Sequence, residues 1–418
     1  MHKKHCLALA CSLALGGQLA HASSQSETKG FIEDASLDLL LRIAYFNRDY
    51  KDNTNDAKSW GQGFIATFES GFTQGTVGFG VDAFGLLGVK LDSGRGRNYR
   101  AFFDTDSEGR PVDDLSQAGG AVKLRVSNTV IKYGNQFPSL PVLGHDDSRL
   151  LPQVFEGGLL TSSELEGLTF TGGRLDKVID RASTNEEDMV LNSKNRRFAG
   201  GVSADHLDLA GVDYKFAPGF TGRYYFADLD DIYRQHFLGL LSSHKVGAGT
   251  LSSDLRLIYS SDSGAAKAGK VDNRAINAMV SYGLGNHKVG LGFQDMSGDT
   301  GFAYIDGSDP FLINFVQIND FANADERSWQ ARYDYNFAGI GVPGLTFMTR
   351  YIRGDDARIA GSDERGGEWE RDIEFKYVVQ SGPLKDLYVS VRNASFRSDF
   401  ARDADENRVI VGYTLPIW

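Results

Sequence analysis

Nine basic side chains recur at alternate positions of otherwise apolar runs: Arg42, Lys123, Arg125, Lys132, Arg256, Lys288, Arg332, Arg350 and Arg392. A row of such groups suits the holding and passing of carboxylates. Arg does this through two parallel N–H donors and Lys as a compact point charge. The formal net charge of the chain is −11, so a basic row is not a by-product of composition. The acids gather instead in polar stretches, such as Asp104 and Asp106, Asp146-Asp147, Glu186-Glu187-Asp188 and Asp355-Asp356. The alternative use of the basic row is structural. Asp38, Glu69, Asp82, Asp254, Asp334, Asp372 and Glu374 share the polar parity and could pair with it.

Covalent chemistry finds less support. Beyond residue 22 the histidines are His145, His206, His236, His244 and His287, and none stands in an H-E-x-x-H arrangement. No G-x-S-x-G occurs. Ser242, Ser243 and His244 are adjacent, but nothing in the pattern orients them as a hydrolase would need. Gly339 to Gly344 formally matches G-x-G-x-x-G, yet it contains Pro343 and leads into a strand, so it reads as a turn. No cofactor and no metal site is expected. The excess of acid over base argues against nucleic acid as a partner.

The elements that must position the basic row are strands. Apolar and polar residues alternate in Ser36–Phe46, Val122–Val126, Asp254–Tyr259, Lys288–Phe293, Ser328–Tyr335, Leu345–Tyr351, Asp372–Tyr377, Leu387–Arg392 and Val409–Ile417. This period of two marks half-buried strands. About 17 or 18 such segments run through the chain with no linker and no competing amphipathic helix. Gly is 49 and Pro only 9 of 418 residues, with 27 Phe and 17 Tyr, which excludes a disordered tract and favours strands. No apolar run reaches the roughly 18 residues of a spanning helix.

Residues 1–22 read as a signal peptide. His2 to His5 form a basic start, Cys6 to Leu15 an apolar stretch, and Ala20-His21-Ala22 a cleavage site. Both cysteines lie within it, so residues 23–418 are expected to fold as one domain without disulfides. The dozen or so residues before Ser36 leave no room for a globular plug.

Connections between strands differ in length. Short ones (Ser127-Asn128, Ala217-Pro218-Gly219, Gly285-Asn286, Gly341 to Gly344, Gly382-Pro383) alternate with long polar ones (52–59, 92–119, 135–166, 175–197, 260–273, 296–326, 354–368). Short turns on one rim and long loops on the other describe an outer-membrane barrel. A soluble sandwich or lectin would show the same alternation. The signal peptide, the absence of mature cysteine, the number of similar strands and the aromatics at strand ends favour the membrane. Those aromatics are Tyr45, Phe46, Phe72, Tyr259, Tyr282, Tyr335, Tyr351 and Tyr377, which are expected to form interfacial girdles. The fold class is therefore an all-β, 18-stranded antiparallel transmembrane barrel, wide enough for an aqueous channel. Its surroundings would be the lipid bilayer and lipopolysaccharide of a bacterial outer membrane, reached through the barrel-assembly machinery. The 135–166 connection carries Pro138, Pro141, Pro152 and the cluster His145-Asp146-Asp147-Ser148-Arg149. A long loop with its own turn chemistry is more often functional than idle, and folded inward it would narrow the pore. The acid- and aromatic-rich 296–326 connection is a second candidate.

Several motifs together resemble OprD-type outer-membrane porins of pseudomonads: the run Gly30 to Arg42 (GFIEDASLDLLLR), Tyr45 to Asp49 (YFNRD), Trp60 to Gly63, Gly80 to Phe84, Ser148 to Pro152, Phe155 to Gly157, Gly172 to Arg174, and Asp320-Phe321. The resemblance spans the mature chain. It implies a substrate-specific porin, monomeric or loosely trimeric, that passes small organic anions through a narrow eyelet. By position it assigns Asp147, Ser148 and Arg149 to the constriction from the third loop, and Ser308 and Asp309 to that from the seventh. It adds Arg174 to the basic ladder, although strict parity puts Arg174 on the lipid side, so a bulge is expected there. The family divides into channels for basic amino acids and channels for cyclic or aromatic monocarboxylates. Phe155 to Gly158 and Leu168 to Arg174 look more like the second group. The terminal Trp418 departs from the commoner terminal Phe.

Overall fold

The structure, a computed structural model, describes residues 24–52, 56–92 and 102–418. Residues 1–22, expected to be a signal peptide, lie outside the described residues. Eighteen strands form one closed antiparallel sheet. In chain order they are β1 (Ser36–Tyr50), β2 (Ala57–Glu69), β3 (Val77–Lys90), β4 (Asp114–Val126), β5 (Thr129–Gln136), β6 (Val154–Leu165), β7 (Leu168–Ile179), β8 (Leu207–Ala217), β9 (Phe220–Leu229), β10 (Tyr233–Val246), β11 (Gly249–Asp262), β12 (Asp272–Leu284), β13 (His287–Ser297), β14 (Arg327–Asn336), β15 (Leu345–Arg358), β16 (Arg365–Val378), β17 (Tyr388–Ser398) and β18 (Ala404–Pro416). Each pairs with its sequence neighbours. β1 closes on β18 with Leu39 opposite Leu415 and Tyr45 opposite Val409. Closure leaves no strand edge, the condition for a sheet in hydrocarbon.

The side chains are inverted relative to a soluble protein. Leu291 and Val122 are 70% and 60% exposed on the outer wall, whereas Glu370 and Glu406 are fully buried inside. This places the apolar parity against lipid and the polar parity against the lumen, the distribution of a membrane barrel.

The lumen is not empty. Counted along the long-loop rim, the described part of loop 2 (102–113), loop 3 (137–153), loop 4 (180–206) and loop 7 (298–326) fill part of it. Phe102 and Phe103 of loop 2 and Leu150 and Leu151 of loop 3 pack with Phe46, Phe84 and Leu86 of the wall. Loops 3, 4 and 7 form a second apolar cluster through Leu143, Leu191 and Ile305 against Leu175, Leu207 and Tyr225. Loop 3 bends through a short ribbon, Ser139–Leu140 against Leu143–Gly144. At the opposite rim the N-terminal segment lies against the wall, where Gln25 receives a hydrogen bond from Arg125.

Three expectations change. The 135–166 stretch is not one connection, because Val154–Leu165 is a barrel strand and the loop is only 137–153. Its Gly157-Gly158 and Leu159-Leu160 pairs hide the alternation. The loops placed at 92–119, 175–197 and 354–368 also have other bounds, since β4 begins at Asp114, β7 continues to Ile179, β15 continues to Arg358 and β16 begins at Arg365. Two of the girdle aromatics face inward: Phe46 is fully buried and Phe72 is 9% exposed. Tyr45 and Phe46 are adjacent in one strand, so they cannot both face lipid. Tyr259 and Tyr377 do stand on the outer wall.

Gly157 sits at a bulge between β6 and β7 with φ 148°, and an added Cβ would lie 2.3 Å from the Arg174 carbonyl oxygen. Gly157→Ala is expected to cost about 1–3 kcal/mol and to lower the temperature at which the compact form is lost in detergent gels. Gly85→Ala, where a Cβ meets nothing within 4 Å, should leave that temperature unchanged.

Candidate functional site: a charged eyelet between loops 3 and 7 and the barrel wall

Loop 3 and loop 7 meet in backbone register. Gly144 and Asp309 form a bridge in which the Asp309 N–H donates to the Gly144 carbonyl at 2.8 Å. A Cβ at Gly144 would lie 3.0 Å from the Asp309 Cβ, so glycine permits this approach. Each loop is tied to the wall by a guanidinium from the basic row. Arg42 holds the Asp147 carboxylate through Nη1 and Nη2 at 2.7 and 2.9 Å, and also donates to the Arg149 carbonyl. Arg256 donates to the Phe311 carbonyl at 2.6 Å, lies over the Phe311 ring and is itself held by Asp254. From the far wall, Glu370 of β16 accepts the N–H groups of Ile318 and Asn319 at 2.8 and 2.9 Å.

Between the anchored loops and β15–β18 lies a cavity of about 400 Å³. The wall gives it Arg350, Arg392 and Arg408 with Asp372, Glu374 and Met348. Loop 3 gives it His145 to Arg149, and loop 7 gives it Asp309 and Phe315 to Ile318. A second cavity of about 570 Å³ nearer the short-turn rim shares Met348, Glu374 and Arg392 with the first and adds Lys288, Arg332, Asp334 and Lys376. The shared residues place the two spaces next to each other along the same stretch of wall.

The basic residues fall into four groups. Arg42 and Arg256 are loop anchors. Lys123 and Lys132 both reach Asp82 at 2.6 Å, and Arg125 bonds Gln25, so these three stiffen the short-turn end of the wall. Arg350 and Arg392 line the eyelet, paired with Asp372 and Glu374 at 2.7 and 3.1 Å. Arg332 and Lys288 line the lower space. Arg332 is held by Asp334 on its own strand, while among the described residues no carboxylate pairs with exposed Lys288. The acids named as alternative partners do this work at Asp82, Asp254, Asp334, Asp372 and Glu374, while among the described residues Asp38 and Glu69 pair with none of these cations. The basic row is thus largely matched, charge for charge, by acids beside it.

Arg174 lines neither space. It pairs in register with Asp208, and donates through Nε and Nη2 to its carboxylate at 2.7 Å each. It has the parity of exposed Phe170, whereas Leu175 is fully buried in the lumenal cluster. The expected bulge exists but falls at Asp176, between the Gly157–Leu175 and Glu156–Lys177 pairs, one step too late to turn Arg174 inward. Ser308 also departs from expectation. It is 4% exposed and its hydroxyl donates to the Ile305 carbonyl at 2.7 Å, so it shapes the loop rather than lining the cavity. Asp147, Ser148, Arg149 and Asp309 do line it.

The sequence reading missed Arg408 and Lys376, although both sit on the lumenal parity. Arg408 is 2% exposed, bonded to Glu406 at 2.5 Å and to the Gln317 carbonyl, and stacked 4.3 Å from the Phe46 ring. Arg149 faces the same ring at 5.9 Å and donates to the Ser148 hydroxyl. Lys376 lies over Tyr388. The inward side of Phe46 was legible from its parity with Arg42 and Ala44, but its role as a backstop for two guanidiniums was not.

Two loop carboxyls are tuned in opposite directions. Burial works against the charge of Asp146, but Arg181, Arg149 and the Ser148 hydroxyl and N–H outweigh it and hold the carboxyl below its ordinary range. Asp309 is raised, first by burial and then by the nearby Asp146 charge, with the Phe311 N–H and Arg256 opposing.

A closed β-barrel with lipid outside, inward-folded loops and a charged water path is an outer-membrane porin. The match to known proteins is more specific. Residues 29–417 match the model of the outer membrane porin OprD family. Porin D of Pseudomonas aeruginosa is 42% identical, the alignment covering 95% of this chain and 94% of that protein. The P. aeruginosa OccK5 (OpdH) structure is 51% identical with a TM-score of 0.85, and the OpdK structure with vanillate is 43% identical with a TM-score of 0.88. Each match covers 93% of this chain and the whole of the other. The chain belongs to the OprD family of porins of the bacterial outer membrane. It is a channel fold that sits in the bilayer and passes small solutes.

Arg42→Ala would leave the Asp147 carboxylate and three loop-3 carbonyls without their donor. The Asp147 side chain is 46% exposed and can turn to water, so the loss is about 1.5–3 kcal/mol, that of charge-assisted hydrogen bonds, and noisier and larger single-channel conductance in planar bilayers is expected. The raised Asp309 carboxyl takes up a proton at a pH where ordinary carboxylates are still ionised. Anion-over-cation permeability is therefore expected to rise as pH falls toward the carboxylate range, and Asp309→Asn should show the raised ratio already at neutral pH.

Proposed function

We propose that the channel is selective for small organic anions, with cyclic or aromatic monocarboxylates as its preferred solutes. The observation that carries this reading is the run of cations from the eyelet downward: Arg408, Arg149 and Arg350, then Arg392 shared by both spaces, then Arg332, Lys376 and Lys288. In the lower space these cations outnumber Asp334 and Glu374. A carboxylate entering the eyelet exchanges hydrogen bonds with guanidiniums already bonded to Asp372, Glu374 or Glu406. It therefore binds without a deep well, and it can leave toward the cation-rich space below. Conduction requires this balance of entry and release. Met348, Phe315 and Val316 border the same path, and apolar surface beside a cation suits a ring that carries one carboxylate. The vanillate in the OpdK structure is of that class. The gradient drives the flux, and no covalent step or cofactor is needed.

Passage of basic amino acids is the second reading. It is favoured by the five carboxylates of the eyelet, Asp146, Asp147, Asp309, Asp372 and Glu374. Liposome uptake separates the two: benzoate is expected to enter faster than arginine, and the reverse order would overturn the anion reading. Arg392→Ala is expected to slow benzoate about tenfold, the worth of one charge-assisted hydrogen bond, with arginine uptake unchanged or faster.

A further inference from the structure

The outer wall carries a polar stripe where the girdle should be aromatic. On one side of it stand Trp329, Tyr351 and Trp369, packed ring to ring at 5.5 and 5.9 Å. On the other side stand Tyr45 and Trp60, in contact at 6.4 Å. Between them the outward side chains are Arg371, Ser395, Asn393, Asn407, Asn47 and Lys58. Pairing fixes their side of the wall: Arg371 is opposite Tyr351 and Ser395, Asn393 opposite Asn407, and Asn47 opposite both Asn407 and Lys58. Their chain neighbours Glu370, Asp372, Phe46 and Arg408 point into the lumen and are buried.

The stripe is knitted together and then stops short of satisfaction. Arg371 Nη2 donates to Asn393 Oδ1 at 3.0 Å and to Ser395 Oγ at 3.1 Å, and Asn393 Nδ2 donates to Asn407 Oδ1 at 2.9 Å. Higher on the same face each cation is matched by acid: Arg353 by Asp355, Arg397 by Asp405, Lys51 by Asp49 and Asp405. Arg371 and Lys58, at the two ends of the stripe, have no carboxylate partner among the described residues. Amides and unpaired cations facing acyl chains are costly, whereas the same groups facing headgroups are not.

We propose that this stripe binds the phosphate groups of lipopolysaccharide in the outer leaflet, with Arg371 and Lys58 as the charge-bearing contacts and the asparagines as hydrogen-bond partners. Charge decides the occupant. Arg and Lys without counter-ions complement phosphate, while a second copy of the chain placing the same stripe across a two-fold axis would set cation against cation. The stripe opens on the membrane and has no connection to the solute path, so the proposal stands or falls independently of the transported solute.

The test uses the full chain purified in detergent and native mass spectrometry with diphosphoryl lipid A or its dephosphorylated form. The wild type is expected to retain diphosphoryl lipid A about tenfold better than the dephosphorylated lipid. The double variant Arg371→Gln with Lys58→Gln should lose that preference. Arg174→Gln, which alters an outer-wall cation already held by Asp208, should keep it. Equal retention of the two lipids by the wild type overturns the proposal without reliance on any variant. So does a double variant that binds like the wild type. A wild type that binds neither lipid but forms oligomers lost in the double variant would assign the stripe to a second copy and equally overturn it.

Discussion

No backbone hydrogen-bonding group can be left open to hydrocarbon, and the rest of this structure follows from that. The sheet closes β1 on β18, so every strand has two neighbours. A barrel of 18 strands encloses more space than wall side chains alone can fill. That space must be occupied by something that can tolerate charge and water, and here it is the chain's own loops. Loops 2, 3, 4 and 7 bring Phe102, Leu150, Leu191 and Ile305 into the lumen and build two apolar clusters there. The protein thus has an apolar outside and an apolar plug inside, with a charged path left along one side.

Loops folded into a water-filled tube need strong attachments, and guanidinium groups supply them. Arg42 reaches Asp147 and loop carbonyls, Arg256 reaches the Phe311 carbonyl, and Arg408 reaches the Gln317 carbonyl. A lysine could not span a carboxylate and carbonyls in one plane, which is where arginine's fork geometry matters. The same residue type therefore does two jobs. Some arginines are committed to holding loops, and others, Arg350 and Arg392, stand at the path with one acid partner each among the described residues. Pairing with neighbouring acids limits the depth of any anion-binding well, and a channel needs shallow wells more than tight ones.

Strand alternation made the fold legible from sequence. The barrel, a strand number close to 18 and the long and short rims could be read from period-two runs and turn residues, whereas β6 stayed hidden in the third connection and the resemblance supplied the constricting loops. The lumenal side of Arg42, Lys123, Arg256, Lys288, Arg332, Arg350 and Arg392 could also be read, because parity within one unbroken strand is a local property. Arg408 and Lys376 carried the same signal and were available to it. Failures cluster where locality breaks. Arg174 was placed by a bulge whose position depends on which residue of β6 faces which residue of β7, and that register is not written in either strand alone. Phe46 was read by type rather than by parity. Ser308 was placed by resemblance, and its hydroxyl is consumed within its own loop.

The sequence by itself determined which face of each strand meets lipid and which meets water, since side-chain alternation is built into the extended backbone. Only the tertiary structure decided which inward cations hold loops and which line a path. It also decided which acids neutralise them, and that loops 3 and 7 meet at Gly144 and Asp309. Some of these pairings are local, such as Arg256 with Asp254 on one strand, but the contacts that seat the loops, such as Arg42 with Asp147 and Gly144 with Asp309, join residues more than a hundred positions apart and form only once the sheet has closed around one lumen.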